Sequence, residues 1–234
     1  CTGAPITFTI TVNPTPTVNA VASQVLCNGA NTTAVTFSSP TTGGTIVYNW
    51  VNNTPSIGLP ASGTGNIGVF AATNATNAPV VATITVTPSY TNAGVTCTGT
   101  PRTFTYTVNP TPIVNAVTNQ VLCNGSNTTA VTFSSPTTGG TLVYNWINNT
   151  TSIGLAAGGS GNIASFVATN TTNAPVVATI TVTPSYTNAG VTCIGAPITF
   201  TITVNPTPTV NAVADQVLCN ASSTTAVMFS GAVT

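Results

Sequence analysis

The sequence repeats itself with a period of 96 residues, and this period constrains the fold more than any other feature. The stretch TFTITVNPTPTVNAV at 7–21 recurs with few changes at 103–117 and 199–213. Each copy is predicted to contain the last β-strand of one repeat, a Pro-Thr-Pro hinge and the first strand of the next. The cysteines follow the same period in two sets: Cys1, Cys97, Cys193 and Cys27, Cys123, Cys219. The chain is therefore a tandem array, and its function must be sought in the repeat.

The repeat divides the chain into two complete copies and two partial ones. Residues 14–109 and 110–205 are predicted to be complete domains. Residues 1–13 are predicted to be the last strand of a preceding repeat, and residues 206–234 the first strands of a following one. Within a complete copy, about seven short alternating segments are separated by turn residues, and helix signals are absent. This pattern predicts an all-β protein of tandem immunoglobulin-like β-sandwich domains.

Alternation of apolar and polar residues identifies the predicted core. Residues 32–39 and 80–90 each place apolar side chains on one face and mostly hydroxyl side chains on the other, and residues 45–51 place Ile46, Tyr48 and Trp50 opposite a face that contains Val47, Asn49 and Val51. The tryptophans could instead stack on sugars, but their alternation with neighbouring apolar residues favours burial. The large side chains predicted to form the core are Trp50, Trp146, Tyr48, Tyr144, Phe37, Phe133, Phe104 and Phe200.

The near absence of charge excludes several classes of function. The 234 residues contain one Lys or Arg, one Asp or Glu and no His. Nucleic-acid binding needs many cationic side chains, and a calcium site needs several carboxylates. No base or paired carboxylate is present for catalysis. We expect no enzymatic activity, no metal, no cofactor and no nucleic-acid partner. The two charged residues, Arg102 and Asp215, are not repeated and are interpreted as drift.

The cysteines predict disulfides and an extracellular location. Six cysteines at a strict period, without a CxxC pair, favour disulfides over zinc. Strand direction places Cys27 and Cys97 at opposite ends of one predicted domain. A bond from Cys27 to Cys193, across the repeat boundary, is therefore favoured. The alternatives are the bonds Cys27–Cys97 and Cys123–Cys193 within a repeat, or free thiols. In the favoured scheme Cys1, Cys97, Cys123 and Cys219 pair with neighbouring repeats or copies.

The motifs QVLCNGANTTAVTFSS, ATITVTPSYTNAGVTC and TFTITVNPTPTVNA resemble the Ig-like or PKD-like tandem repeats of large Bacteroidota cell-surface adhesins. The resemblance extends over the whole chain and includes the gliding-motility adhesins secreted by the type IX route. It implies an extracellular adhesin or filament on the cell surface and does not identify a ligand. Adhesins of this kind can be O-glycosylated at Asp-Ser/Thr, but Asp215 precedes Gln216, so the sequence does not support that modification here.

Two functional hypotheses follow from the sequence. The favoured one is a non-catalytic stalk or filament segment of an extracellular adhesin, with neighbouring repeats as its partners. The alternative is a self-assembling fibre subunit whose copies associate laterally or by strand addition; a carbohydrate-binding module is less favoured. No apolar run is long enough to insert in a membrane. Because almost nothing titrates, we expect mechanical behaviour that is insensitive to pH between 4 and 10 and to salt.

Nine Asn-x-Ser/Thr sequons also occur, as expected by chance in a chain rich in Asn and Thr. They begin at Asn31, Asn52, Asn74, Asn124, Asn127, Asn148, Asn149, Asn170 and Asn220.

Overall fold

A computed structural model describes residues 1–232; the last two residues of the predicted segment 206–234 lie outside the described part. The described residues form two six-stranded sheets. The first sheet contains β1 (Gln24–Cys27), β2 (Thr45–Asn52), β3 (Ser62–Thr64), β4 (Val80–Asn92), β5 (Val95–Thr98) and β6 (Arg102–Asn109). The second contains β7 (Gln120–Cys123), β8 (Thr141–Asn148), β9 (Gly158–Ser160), β10 (Val176–Asn188), β11 (Val191–Ile194) and β12 (Ile198–Asn205). The predicted all-β fold is confirmed; its helical content is two single 3-10 turns, at Pro55–Ile57 and Thr151–Ile153.

The two sheets have the same topology. The strand order is β1-β6-β4-β2-β3 in the first sheet and β7-β12-β10-β8-β9 in the second, with β5 added to β4 and β11 to β10. Strand β4 pairs antiparallel with both β2 and β6, whereas β1 pairs parallel with β6. Residues 17–23, which precede β1, lie outside any strand, and the Asn19 amide donates to the Ser38 carbonyl at 2.9 Å.

The second layer of each sandwich contains fewer regular strands than the alternation predicts. Segments 31–39 and 66–73 form no regular strand; they pair at the isolated bridges Asn31↔Ala71 and Val35↔Ile67, and the Thr32 amide also donates to the Phe70 carbonyl at 2.9 Å. Side chains accept from two other backbone amides of these segments. The Phe37 amide donates to Asn66 Oδ1 at 2.9 Å, and the Phe70 amide donates to Thr32 Oγ1 at 3.1 Å. These side-chain bonds satisfy the backbone but interrupt the ladder, so the continuous strand that the alternation predicted over residues 32–39 was wrong.

The inward faces of the strands form one hydrophobic core in each sandwich. On β4, Ala82, Ile84 and Val86 are at most 1% exposed, as their alternation predicts. The predicted core residues Trp50, Phe37, Phe104 and their counterparts Trp146, Phe133 and Phe200 are buried.

Tyr48 and Tyr144 differ from the prediction because they are only partly buried. Each ring packs against a phenylalanine, with centroids 5.5 Å apart for Phe37–Tyr48 and for Phe133–Tyr144. A tyrosine in such a position buries its ring and leaves its polar end near water.

The compact units do not follow the repeat boundaries. One unit contains residues 1–111 together with 138–140 and 187–193, and the other contains 112–137, 141–186 and 194–232. The first unit thus includes the hairpin residues 187–193, which the sequence assigns to the second repeat. The domain boundaries drawn from the repeat remain a prediction.

Residues 1–13 and 206–232 form no strand. The apolar side chains of the first segment are largely exposed, with Phe8 at 82% and Val12 at 87%. A lone strand leaves its backbone groups to water, so alternation alone does not order it.

Candidate functional site: the disulfide and its surroundings

The first half of the site is the turn that follows β1. Strand β1 runs parallel to β6 with Cys27 opposite Asn109. The Asn28 amide donates to the Asn109 carbonyl at 2.9 Å, and the Ala30 amide donates to the Cys27 carbonyl at 3.0 Å. Gly29 has φ +82°, a conformation that glycine adopts at little cost. The Cys-Asn-Gly sequence therefore holds the Cys27 sulfur at the end of β6.

The second half is the hairpin that joins β10 to β11. Its turn contains Ala189 at φ +48° and Gly190 at φ +78°, which is the backbone of the type I′ turn favoured in tight hairpins. The hydroxyls of Thr187 and Thr192 lie 2.8 Å apart across the two strands. Cys193 follows in β11 and is only 3% exposed.

A disulfide joins the two halves. Cys27 and Cys193 are bonded, with their Cα atoms 5.5 Å apart and 166 residues between them in sequence. Both cysteines belong to the first compact unit. This is the bond that the strand directions favoured. Cys1, Cys97, Cys123 and Cys219 have free thiols.

The alternative bonds within a repeat are wrong. Cys27 lies opposite Asn109, at the end of β6 that pairs with Val80 of β4. Cys97 lies opposite Tyr90, near the other end of β4. At about 3.3 Å per residue, positions 80 and 90 are roughly 33 Å apart, far beyond the reach of a disulfide. The bond Cys123–Cys193 is excluded because Cys193 is already bonded.

Two asparagines form a reciprocal pair beside the disulfide, which we call the asparagine clasp. Asn109 Nδ2 donates to the Asn188 carbonyl at 3.2 Å, and Asn188 Nδ2 donates to Asn109 Oδ1 at 2.9 Å. Asn109 is fully buried. The same pair recurs between Asn13 and Asn92, at 3.2 and 3.0 Å. Sequence reasoning missed the clasp, although the 79-residue spacing of these asparagines recurs in both repeats and could have indicated it.

The Pro-Thr-Pro hinge packs against a glycine in the loop that joins β5 to β6. The Gly99 amide donates to the Pro88 carbonyl at 2.8 Å, and a Cβ added to Gly99 would overlap the Pro16 carbonyl. Gly195 has the same relation to Pro112. The Cys-x-Gly motif of the repeat therefore exists because only glycine leaves room for the hinge.

The tryptophans cannot act as sugar-stacking platforms. Trp50 and Trp146 are 7% and 8% exposed. Their rings lie so close to Gly63 and Gly159 that a side chain there would overlap them. A stacking platform needs an accessible ring face, so both rings belong to the core.

Four of the nine sequons have buried asparagines whose amide nitrogens are already in use. Asn52 Nδ2 donates to the Leu59 carbonyl at 2.9 Å, and Asn74 Nδ2 donates to the Val108 carbonyl at 2.7 Å. Asn148 and Asn170 make the equivalent bonds in the second repeat. These four amides support loops and are inaccessible to a modifying enzyme.

The described residues contain no cluster of three or more His, Cys, Asp or Glu that could hold a metal ion. Arg102, one of the two charged residues, donates from Nη1 to the Val18 carbonyl at 3.3 Å, a structural contact. Within residues 1–232 no helix has the length and apolarity that a membrane span requires. The chemistry available at the site is therefore disulfide formation and amide hydrogen bonding.

Two buried tyrosine hydroxyls lead to opposite predictions. The Tyr106 hydroxyl is buried without a partner, whereas the Tyr90 hydroxyl donates to the Thr42 carbonyl at 3.3 Å. We expect Tyr106→Phe to leave the free energy of unfolding unchanged or to raise it by up to about 1 kcal/mol, and Tyr90→Phe to lower it by about 1 kcal/mol. Urea unfolding at pH 7 tests both; a loss of more than 1 kcal/mol for Tyr106→Phe would contradict the assignment.

Tyr106→Phe is also expected to change how stability depends on pH. Burial raises the pKa of Tyr106 to about 12. In the unfolded chain the Tyr106 hydroxyl loses its proton near pH 10, before the folded protein does. The contribution of this difference to the free energy of unfolding is complete below pH 10 and is lost as the pH rises towards 12. Wild type should therefore lose stability over this range more steeply than Tyr106→Phe. Equal slopes for the two proteins would contradict the prediction.

The comparisons with known proteins find solved structures that resemble this chain only distantly. No family model and no curated protein matches the chain. Among solved structures, it is similar to mouse cadherin-23 repeats EC22–24, with 11% identity and a TM-score of 0.46 over 83% of this chain and 67% of the other. It is also similar to repeats EC1–2 of a human mucin-like protocadherin, with 12% identity and a TM-score of 0.35 over 82% and 98%. A third similar structure contains immunoglobulin domains 1–5 of Sidekick-1, with 12% identity and a TM-score of 0.26 over 84% and 42%.

Proposed function

We propose that this chain is a non-catalytic structural segment of an extracellular, cell-surface adhesin, in which tandem β-sandwich repeats act as a spacer. The observation that carries the proposal is the Cys27–Cys193 disulfide, which ties one repeat to a hairpin of the next. A bond between successive repeats strengthens an array and has no evident use in an isolated domain. The sequence resemblance to gliding-motility adhesins supports the same assignment.

The periodicity of the cysteines extends the proposal to every repeat boundary. Cys123 occupies the position of Cys27, and Cys97 occupies that of Cys193, each shifted by 96 residues. Both thiols are free, and neither is fully buried. The asparagine clasp recurs with the same shift. We therefore assign Cys97 and Cys123 to the same bond with the repeat before and the repeat after.

An uncharged outer face favours the self-assembling fibre as the second candidate. The first sheet turns Val47 and Val51 of β2 outwards, at 42% and 54% exposure. The outward positions of the adjacent strands β4 and β6 are mostly threonines, of which Thr85 and Thr103 lie side by side. Equivalent residues give the second sheet the same face. Two twisted sheets of this kind can stack face to face, and no charge would oppose the contact.

Electron microscopy and surface labelling test the two candidates. For the spacer, purified chains should remain single particles, and an antibody against the chain should label intact, unpermeabilised cells. Regular fibres or bundles formed by the purified chain would instead favour self-assembly. Labelling that appears only after permeabilisation would overturn both extracellular roles. A non-reducing peptide map supplies the control, because it must contain a peptide linking residue 27 to residue 193.

A further inference from the structure

The disulfide closes an unusually large part of the chain into a covalent loop. The loop runs from Cys27 to Cys193, a separation of 166 residues in a chain of 234. It contains all strands from β2 to β10 and therefore most of both hydrophobic cores. Tension applied to the two ends of the chain passes from Cys27 to Cys193 through the sulfur atoms and bypasses the backbone between them.

We propose that this bond makes the protein a tether of limited extension, in which force cannot lengthen the segment enclosed between Cys27 and Cys193. Fully extended, 166 residues span roughly 550–600 Å at 3.3–3.6 Å per residue. The disulfide replaces that length by a Cα–Cα distance of 5.5 Å. Even if the enclosed strands separate, the chain gains none of this length while the bond is intact.

The length of the loop relative to the repeat extends this property to an array. Because 166 residues exceed the 96-residue period, loops formed by the same bond in successive repeats overlap. Every position of an array then lies inside at least one loop. The shortest covalent path through two repeats is one disulfide and the segment from Cys193 to Cys219, which extends to roughly 90 Å. A bond within each repeat would leave every hinge outside the loops, so the bond across the boundary is the arrangement that protects the whole array.

The asparagine clasp fits this role, and the two cysteines differ in exposure. Cys193 is 3% exposed, whereas Cys27 is partly exposed, so a thiol in solution reaches the bond from the Cys27 side. Asn109 and Asn188 hold the two partner segments together beside the bond.

Single-molecule force spectroscopy tests the proposal on the whole chain. Handles are attached at both ends, and Cys1, Cys97, Cys123 and Cys219 are replaced by serine so that only the assigned bond can form. Dithiothreitol supplies the reduced arm: it converts the disulfide to two thiols and is itself oxidised to a cyclic disulfide. The matched control adds Cys27→Ser to the same background.

The expected result is a difference in extended length of about 550 Å between the oxidised and the reduced chain. The Cys27→Ser control should match the reduced chain under both conditions. An oxidised chain that extends to the full length of the reduced one would overturn the proposal. The tether property rests on the disulfide alone, and the proposed spacer role is needed only to explain what the tether does for the cell. Failure of surface labelling would thus leave the measured tether intact, and full extension would leave the extracellular assignment intact.

Discussion

Cys27→Ser is expected to lower the free energy of unfolding of the chain by about 5 kcal/mol. The intact bond restricts the unfolded chain by closing a loop of 166 residues, and the stabilisation grows with the logarithm of the loop length. Urea unfolding measures the change. Wild type treated with reductant should behave like the variant and should have a larger dependence on urea concentration, since its unfolded chain exposes more surface.

A double-variant cycle provides the control for this prediction. Cys193→Ser alone and the pair Cys27→Ser/Cys193→Ser should each cost about as much as Cys27→Ser, because any one substitution removes the same bond. Cys123→Ser should cost less than about 0.5 kcal/mol, since that thiol is free and exposed. If the loss of free energy of unfolding in the double variant equalled the sum of the losses in Cys27→Ser and Cys193→Ser, a shared bond would be contradicted.

Gly99→Ala is the second substitution with a large expected effect, a loss of about 3 kcal/mol. The new methyl group would overlap the Pro16 carbonyl and crowd the Pro88 ring, and two rigid prolines cannot move aside without shifting the backbone. Gly99 does not have a positive φ, so the cost is steric and not conformational. Thermal unfolding should show a lower midpoint than that of wild type.

Gly68→Ala is the matched control. Nothing lies within 4 Å of a Cβ at Gly68, and the equivalent position of the second repeat already carries Ala164. This change should leave stability within about 0.5 kcal/mol of wild type or raise it slightly. If Gly99→Ala cost no more than Gly68→Ala, the contact between the hinge and the glycine would not matter for stability.

Much of the fold follows from local patterns in the sequence. Strand β4 alternates Ala82, Ile84 and Val86 with threonines, and burial follows that alternation because successive side chains of a strand point to opposite faces. The pattern was less informative where side chains replace backbone partners. Asn66 bonds to the Phe37 amide and interrupts a ladder that the alternation predicted to be continuous.

The candidate site could be predicted only in part. Strand directions indicated which cysteines lie at the same end of a sandwich, and this was enough to favour Cys27–Cys193. The asparagine clasp could not be derived from strand directions, because Asn109 and Asn188 are 79 residues apart and their motifs do not show which side chains meet. Their role depends on a contact that only the folded chain creates.

The octapeptide ITFTITVN shows most clearly what local sequence determines and what the tertiary structure determines. At 198–205 it is strand β12, because β10 pairs with it along its length. At 6–13 the same eight residues form no strand, and Ile10 is 80% exposed. By itself the sequence determined the repeat, the alternation and the near absence of charge, which are properties of residues and their order. The tertiary structure decided which copy becomes a strand and which cysteines bond, because both depend on a partner that is distant in sequence.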